Sequence, residues 1–315
     1  MNVLVTGAFG NLGQLCIEQL LADGHQVRCT DIDTPNQRQI VEKSQGRFDI
    51  RLGDIRDKAL LAELLVDIDA VIHLASLLPP MTERNPSLAY SVNVEASKTL
   101  IELAQALPTP PLFIYPSSLT VFGPSQRDNP IRHSSDPVMT SDNYTAHKIE
   151  IERVLHESSL PWIIMRIGVS VDARTLRTER QVFKQLLAVH PDTPMEYVHP
   201  RDIALAMSRA VSTPAAIGKT LLLGGGKHCQ ITHHRFLNAA FKAMGLPQKP
   251  GIHGQDSYYT HWLDTHESQA LLQYQRSAFE EYENELAVTF SRVRKLTTPI
   301  RPLLKWLMPK LLRRI

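Results

Sequence analysis

Short apolar runs alternate with stretches of helical period along the first half of the chain. Strands are predicted at NVLVT (2–6), QVRCTD (26–31), FDIRL (48–52), AVIHLA (70–75), PLFIYPSS (111–118) and WIIMRI (162–167). Helices are predicted between them, near 11–23, 57–67, 86–106 and 143–158. Strands that are almost continuously apolar and separated by helices imply a parallel sheet covered on both faces. The predicted fold class is therefore α/β, a doubly wound parallel sheet. After about residue 168 the pattern loosens into a strand at 195–198, a helix at 200–212, a strand at 220–224 and a helix at 232–245. This later part is expected to cap the sheet and shape a substrate pocket.

Composition narrows the class. Hydrophobic residues make up 43% and charged residues 21%, ordinary for a soluble globular protein. The chain opens directly on a strand, MNVLVTG, with no basic, apolar and small-residue sequence of an export signal. No apolar run reaches membrane-spanning length. Cys16, Cys29 and Cys229 are odd in number and far apart, which indicates neither a disulfide framework nor a zinc knuckle. No metal site is expected, and a reducing cytoplasm is the expected compartment. Charge is unevenly spread: residues 291–315 carry +8, against +2 for the whole chain, leaving −6 on residues 1–290. An acidic body argues against a nucleic-acid partner.

The first candidate chemistry lies in VTGAFGNLGQL. Gly7, Gly10 and Gly13 fall between the first strand and the first helix. Glycines there permit a tight turn and let backbone approach a pyrophosphate at a helix N-terminus. The second strand ends at Asp31, where a carboxylate can hydrogen-bond a ribose 2′-OH and repel a 2′-phosphate. NAD is thus favoured over NADP, with Arg28 and Arg38 as the nearby cations that argue the other way. Asp54, just after the third strand, is either an adenine contact or the cap of the next helix.

The second candidate is NYTAHKIEIERVL, which sets Tyr144 and Lys148 four residues apart on one face of a helix. Alone, such a pair is usually a solvated face. Its neighbours change that: TGAFGNLG, Asp31, GDIRD, HLAS (73–76), VNVEASKTL (92–100), YPSSLTVFG (115–123), YTAHK (144–148) and YVHPRDIALAM (197–207). In this order and spacing the chain resembles the extended short-chain dehydrogenase/reductase family, of the NAD-dependent epimerase/dehydratase type, over about residues 1–210. The resemblance implies a Rossmann fold and an acid/base role for Tyr144. It implies that Lys148 lowers the phenol's pKa and clamps the nicotinamide ribose, and that Ser118 stabilises the reacting oxygen. Thr120 is expected to assist Ser118 or line the pocket. The implied cofactor contacts are Gly7, Phe9, Gly10, Asn11, Leu12, Gly13, Asp31, Asp54, Ile55, Leu74, Ala75, Asn93, Tyr144 and Lys148. His73 is expected to end a buried strand beside the cofactor. Arg166, His199 and Asp202 match family positions, and Asp202 could equally be a cap or a salt-bridge partner.

The domain division follows: residues 1–167 a dinucleotide-binding domain, 168–290 a substrate-binding region interleaved with the sheet, and 291–315 a basic tail. GGGKHC (224–229) with His233 and His234 fits no closed zinc set and is read as a turn before a helix. The loop SLLPPM (76–81) and the short span after IGVSVD point to a small-molecule substrate with an apolar part and away from a nucleotide sugar. Leu119 and Thr120 stand where a dehydratase of this family carries Asp–Glu. The expected activity is hydride transfer at a secondary alcohol or ketone carbon. The alternatives are a nucleotide-sugar epimerase, an NAD(H)-sensing regulatory protein without turnover, and a membrane-docked scaffold. In the tail, Ile300, Leu303, Leu304, Leu307, Met308 and Leu311 share one helical face, flanked by cations and Trp306. That face suits an anionic membrane surface, or docking on the protein itself or a second subunit as a homodimer. Pro299, Pro302 and Pro309 limit the helix.

Overall fold

The computed structural model describes residues 1–44, 46–124, 128–173, 186–247, 254–256 and 258–304. Its first part runs β1 (Asn2–Thr6), α1 (Asn11–Ala22), β2 (Gln26–Asp31), α2 (Pro35–Ser44), β3 (Asp49–Leu52), α3 (Lys58–Leu64) and β4 (Ala70–His73). Next come α4 (Met81–Arg84), α5 (Pro86–Tyr90), a π-helical turn (Ser91–Glu95) and α6 (Ala96–Gln105). They lead into β5 (Leu112–Ser118), a 3-10 turn (Leu119–Phe122), β6 (Ile131–Arg132), α7 (Asn143–Glu157) and β7 (Trp162–Ile167). The later part holds β8 (Pro194–Glu196), α8 (Pro200–Val211), β9 (Lys219–Leu223), β10 (Gln230–Thr232), α9 (His233–Ala243) and β11 (Trp262–Leu263). It ends with α10 (His266–Leu272), α11 (Phe279–Thr289) and α12 (Ser291–Thr297).

Seven strands form one sheet in the order β3-β2-β1-β4-β5-β7-β9. Every pairing in it is parallel, in registers such as Val5↔Cys29, Val5↔Ile72 and Ser117↔Arg166. Side chains of a strand alternate between faces, and both faces here are buried, so the strands are apolar at almost every position. Val3 and Val5 face one layer with Cys16, Ile17 and Leu20 of α1 and Ile203, Met207 and Ala210 of α8. Leu4, Phe113 and Tyr115 face the other, with Leu61 and Leu64 of α3, Leu100 of α6, and Ile151 and Leu155 of α7. β9 completes the sheet from the later part of the chain, so the sheet does not end at residue 167.

Two features depart from the pattern. The helix α2, PNQRQIVEKS, is mostly polar and packs only Ile40 and Val41 against the core, so hydrophobic spacing does not reveal it. The long helix expected at 86–106 is α5 and α6 joined through the π turn at Asn93. Beyond the sheet, a third core gathers Tyr197, Phe236, Phe279, Tyr282 and Leu286 from β8 to α11. Among the described residues, no helix is long and apolar enough to cross a membrane.

Candidate active site

All seven parallel strands end on one side, and the predicted site residues collect there, as expected for a doubly wound sheet. The turn after β1 is set by backbone. Gly7 has φ +61°, and a Cβ on it would meet the Ala75 nitrogen at 2.7 Å. A Cβ on Gly13 would stand 2.5 Å from the carbonyl oxygens of Gly7 and Ala8. Gly10 caps α1 without a side-chain bond, so the first N–H groups, on Asn11, Leu12 and Gly13, have no intrahelical partner. Phe9 is buried beneath the turn, 6.4 Å from Phe48. This glycine-lined cradle at a positive helix end fits a dinucleotide diphosphate.

Asp31 stands over the turn: its carboxylate accepts from Phe9 N at 2.8 Å and Ile32 N at 2.8 Å. The two arginines that argued for a 2′-phosphate are engaged elsewhere. Arg28 bonds Asp49 at 2.8 Å and the carbonyls of Leu64 and Val66, and Arg38 pairs with Asp33 at 2.6 Å. With no cation turned to Asp31 from these positions, the site fits NAD. Leu74 and Ala75 close the cradle, Leu74 N bonding Thr6 O at 3.2 Å and Ala75 N bonding Thr6 Oγ1 at 3.1 Å. His73 is buried between Thr6 Oγ1 and Ser97 Oγ, 2.8 Å from each. Burial holds its imidazole down to about 3, neutral at physiological pH, so it supports the turn and moves no proton.

One expectation is corrected. Asp54 is not the helix cap: Asp57 caps α3, and the Asp54 carboxylate grips Arg56 at 2.5 Å beside buried Ile55. Asn93 does not face solvent. It is buried, and its amide takes the Leu77 N–H at 2.7 Å, donates to Leu77 O at 2.9 Å and lies 3.3 Å from His147 Nδ1. Asn93 therefore pins the 76–81 loop. A polar residue inside a π turn has side-chain groups free for such a clamp, but sequence spacing does not show their direction.

At the end of β5 the predicted Ser118, Tyr144 and Lys148 converge. An Asp142–Thr145 capping box starts α7: Asp142 accepts from Thr145 N at 2.8 Å, and Thr145 Oγ1 accepts from Asp142 N at 3.0 Å. This fixes Tyr144 in the first turn, its phenol half-buried on the side of the Ser118 hydroxyl, which favours the phenolate. Ser118 Oγ also lies 2.9 Å from Thr120 Oγ1. Lys148 is buried and donates to the Pro116 carbonyl at 2.7 Å, its ammonium 5.7 Å from the Tyr144 ring centroid and 4.7 Å from that of Tyr115.

The electrostatics differ from the expected lowering of the phenol. Burial is the largest influence and pushes Tyr144 up to about 12, against the Ser118 hydroxyl that favours the phenolate. Burial also lowers Lys148 to about 8, with the Glu152 carboxylate opposing it. The protein alone thus keeps Tyr144 protonated, poised as an acid, and further positive charge is needed before it acts as a base. Sequence reasoning misses Glu152, although it lies four residues after Lys148 on the same face. His199 caps α8, accepting from Arg201 N at 3.2 Å. Asp202 is neither a cap nor a salt bridge: it accepts from Arg276 N and Ser277 N at 3.0 and 2.9 Å and ties the later segment down. Among the described residues no group of His, Cys, Asp and Glu could hold a metal.

A dinucleotide cradle and a Ser–Tyr–Lys set at the carboxyl ends of one parallel sheet define a short-chain dehydrogenase type of site. The profile of the NAD dependent epimerase/dehydratase family matches residues 3–224, and the chain belongs to that family, with NAD as its cofactor. Over 243 residues it is 28% identical to D-erythronate dehydrogenase of Cupriavidus necator, covering 67% of this chain and 72% of that one. Over 151 residues it is 32% identical to human sterol-4-alpha-carboxylate 3-dehydrogenase, decarboxylating, covering 48% of this chain and 38% of that one. The match to an uncharacterized epimerase/dehydratase of Staphylococcus saprophyticus likewise spans 38% of that protein's length. Among solved structures, the UDP-glucuronic acid 4-epimerase of Bacillus cereus, in complex with UDP-glucuronic acid and NAD, superposes with TM-score 0.74 at 21% identity. The likeness covers 94% of this chain and 100% of that one.

Proposed function

We propose that this protein interconverts a secondary alcohol and a ketone on a partly apolar small molecule, with NAD giving or taking the hydride. The observation that carries this reading is the convergence of Tyr144 and Ser118 at the end of β5, with the buried Lys148 ammonium 5.7 Å from the Tyr144 ring centroid. In the reducing direction the Tyr144 phenol delivers its proton to the carbonyl oxygen while Ser118 donates to the same oxygen and steadies its charge. In the oxidising direction the phenolate takes the hydroxyl proton, favoured by Lys148. The proposed cofactor contacts are the Gly7–Gly13 turn, Asp31, Asp54, Ile55, Leu74, Ala75 and Lys148, and residues 168–290 complete the substrate pocket.

The apolar part of the substrate is supported by four large side chains left exposed around the site. Leu78 and Met81 are 57% and 42% exposed, and Val138 and Met139 are 38% and 57% exposed. Glu83 of α4, two residues after Met81, accepts from Asn143 at the start of α7. Met139 N bonds Val121 O at 2.7 Å, which places Met139 beside the Ser118 turn. Relatives are named for a sterol and for a sugar acid, so substrates of both kinds belong in the test. NADH absorbance is followed over apolar secondary alcohols, hydroxy acids and UDP-sugars, with Tyr144→Phe as control. Turnover on an apolar alcohol, lost in Tyr144→Phe, is expected. Preferential turnover of a UDP-sugar would replace the substrate assignment. NAD binding with no turnover on any class would favour a sensor.

A second reading concerns the tail. Val293, Leu296, Ile300 and Leu303 are exposed among the exposed cations Arg292, Arg294, Lys295 and Arg301. Trp306, Leu307, Met308, Pro309 and Leu311 lie outside the described residues. Apolar side chains amid unopposed positive charge suit an anionic lipid surface, at the inner face of a cytoplasmic membrane. Vesicles of phosphatidylglycerol and phosphatidylcholine should sediment the full chain but not a 1–290 truncation. A dimer that falls to monomer on truncation, with no vesicle binding, would assign the tail to a second subunit instead.

A further inference from the structure

Behind the Ser118–Tyr144–Lys148 set lies a charged cluster that the proton transfer does not use. Glu152 of α7 and Arg166 of β7 are 4% and 5% exposed and meet at 2.7 Å, with Arg166 Nε 3.2 and 3.3 Å from the two carboxylate oxygens. A buried ion pair is often no more stabilising than apolar residues of the same volume, so its place in the fold calls for another reason. Its contacts supply one. Glu152 Oε1 accepts from Ser117 Oγ at 2.5 Å, and one helical turn earlier Lys148 holds the Pro116 carbonyl. The two residues before Ser118 are thus gripped by successive rungs of α7. Arg166 pairs in register with Ser117, donates to Ser134 O at 3.0 Å and lies 5.0 Å from the Phe122 ring centroid, at the end of the turn that follows Ser118.

We propose that Glu152 and Arg166 are positioning residues: the pair anchors the strand before Ser118 and the turn after it, and its carboxylate is the counter-charge for the Lys148 ammonium. Other titratable groups facing Lys148 are Tyr144 and His147 on its own helix, Tyr115 on β5 and His73 on β4. His73 is neutral, and burial raises Tyr115 far beyond physiological pH, so neither supplies negative charge. Burial likewise lowers His147 and raises Tyr144, which leaves the Glu152 carboxylate as the anion in this cluster. It is also the influence that opposes the effect of burial on Lys148.

The inference rests on the proposed roles of Ser118 and Lys148, but its test reads Lys148 without turnover. Protein labelled with [ε-13C]lysine is titrated by NMR, the Lys148 resonance being the one lost in Lys148→Arg. In Glu152→Gln the midpoint should fall by about one pH unit, a tenfold change in proton affinity. NAD should bind about tenfold more weakly at pH 8, and Glu152→Asp should recover part of both effects. Should Glu152→Gln fail to fold, the double variant Glu152→Met/Arg166→Met removes both charges together and serves in its place. A folded variant whose Lys148 midpoint and NAD affinity match the parent would overturn the proposal. Loss of the Tyr144 role in the turnover screen would leave this titration unchanged, so the two failures are separable.

Discussion

The glycine-turn end and the later part of this molecule are built by different means. At the glycine-turn end, shape comes from backbone: Gly7 in a left-handed conformation, Gly13 with no room for a Cβ, and helix N–H groups left open. In the later part, shape comes from buried side chains that meet across long stretches of sequence. Tyr197 packs on Tyr282 at 4.9 Å between ring centroids, Asp202 holds the backbone of Arg276 and Ser277, and Glu196 holds that of Gly226 and Leu263. Backbone requirements leave a signature within a dozen residues, whereas packing can be met by many sequences. One end is therefore constrained locally, and the other is free to change its sequence while keeping its core.

The sharpest break in that comparison is at Gly13. Gly13→Val would drive a side chain into two backbone carbonyls that have no freedom to withdraw. NAD affinity should fall by about 100-fold or more, read by quenching of protein fluorescence. Binding within about threefold of the parent would show that the cradle is not where the diphosphate lies. The opposite end answers differently. Phe279 is fully buried among Tyr197, Phe236 and Tyr282. Phe279→Ala should cost about 3 kcal/mol in urea unfolding while NAD affinity at 25 °C stays within about twofold. An equal loss of NAD affinity would mean that the two ends do not separate.

The same contrast explains what can be read from sequence. The parallel sheet is legible because fully buried strands are apolar throughout, and the glycine turn because its residues lie together. Tyr144 and Lys148 are legible from one helical turn. The sign of the phenol's shift is not, because it depends on how deeply α7 and β5 bury the pair. Asn93 falls on the expected helical segment with a different partner, since its direction follows from a π turn that no periodicity marks. Glu152 and Arg166 are 14 residues apart on different elements, and only the register of β5 with β7 brings them to Ser117. In the later part, α10 has few apolar positions in regular spacing, whereas α11 carries Phe279, Tyr282 and Leu286 at helical spacing, a signal that the sequence reading passes over.

A smaller change sharpens the glycine-turn end alone. Asp31→Asn keeps an acceptor for the Phe9 N–H and removes the charge that repels a 2′-phosphate. The ratio of NADP to NAD affinity should rise about tenfold, with NAD itself weakened less. An unchanged ratio would place the selectivity elsewhere, since Arg28 and Arg38 are already engaged with Asp49 and Asp33.

The smallest expected effect lies at Glu196, fully buried on β8, where burial pushes the carboxyl up from 4.5 to about 8. Its side chain accepts from Gly226 N at 2.9 Å and Leu263 N at 3.3 Å, so it joins the glycine turn to β11. Between those two values the folded chain binds a proton that the unfolded chain has released. This group's contribution therefore makes stability fall as pH rises from 4.5 to about 8, and it is level outside that window. Glu196→Gln keeps one acceptor and gives up the titration. It should cost about 1 kcal/mol near pH 5, where the native acid is already neutral, and the variant should be the more stable of the two at pH 8, where the native chain must carry the buried charge. Urea unfolding at the two pH values reads the difference. A deficit in the variant that is the same at both would show that Glu196 stays ionised, held by its backbone donors, and that the later part carries no proton-linked weakness the glycine-turn end lacks.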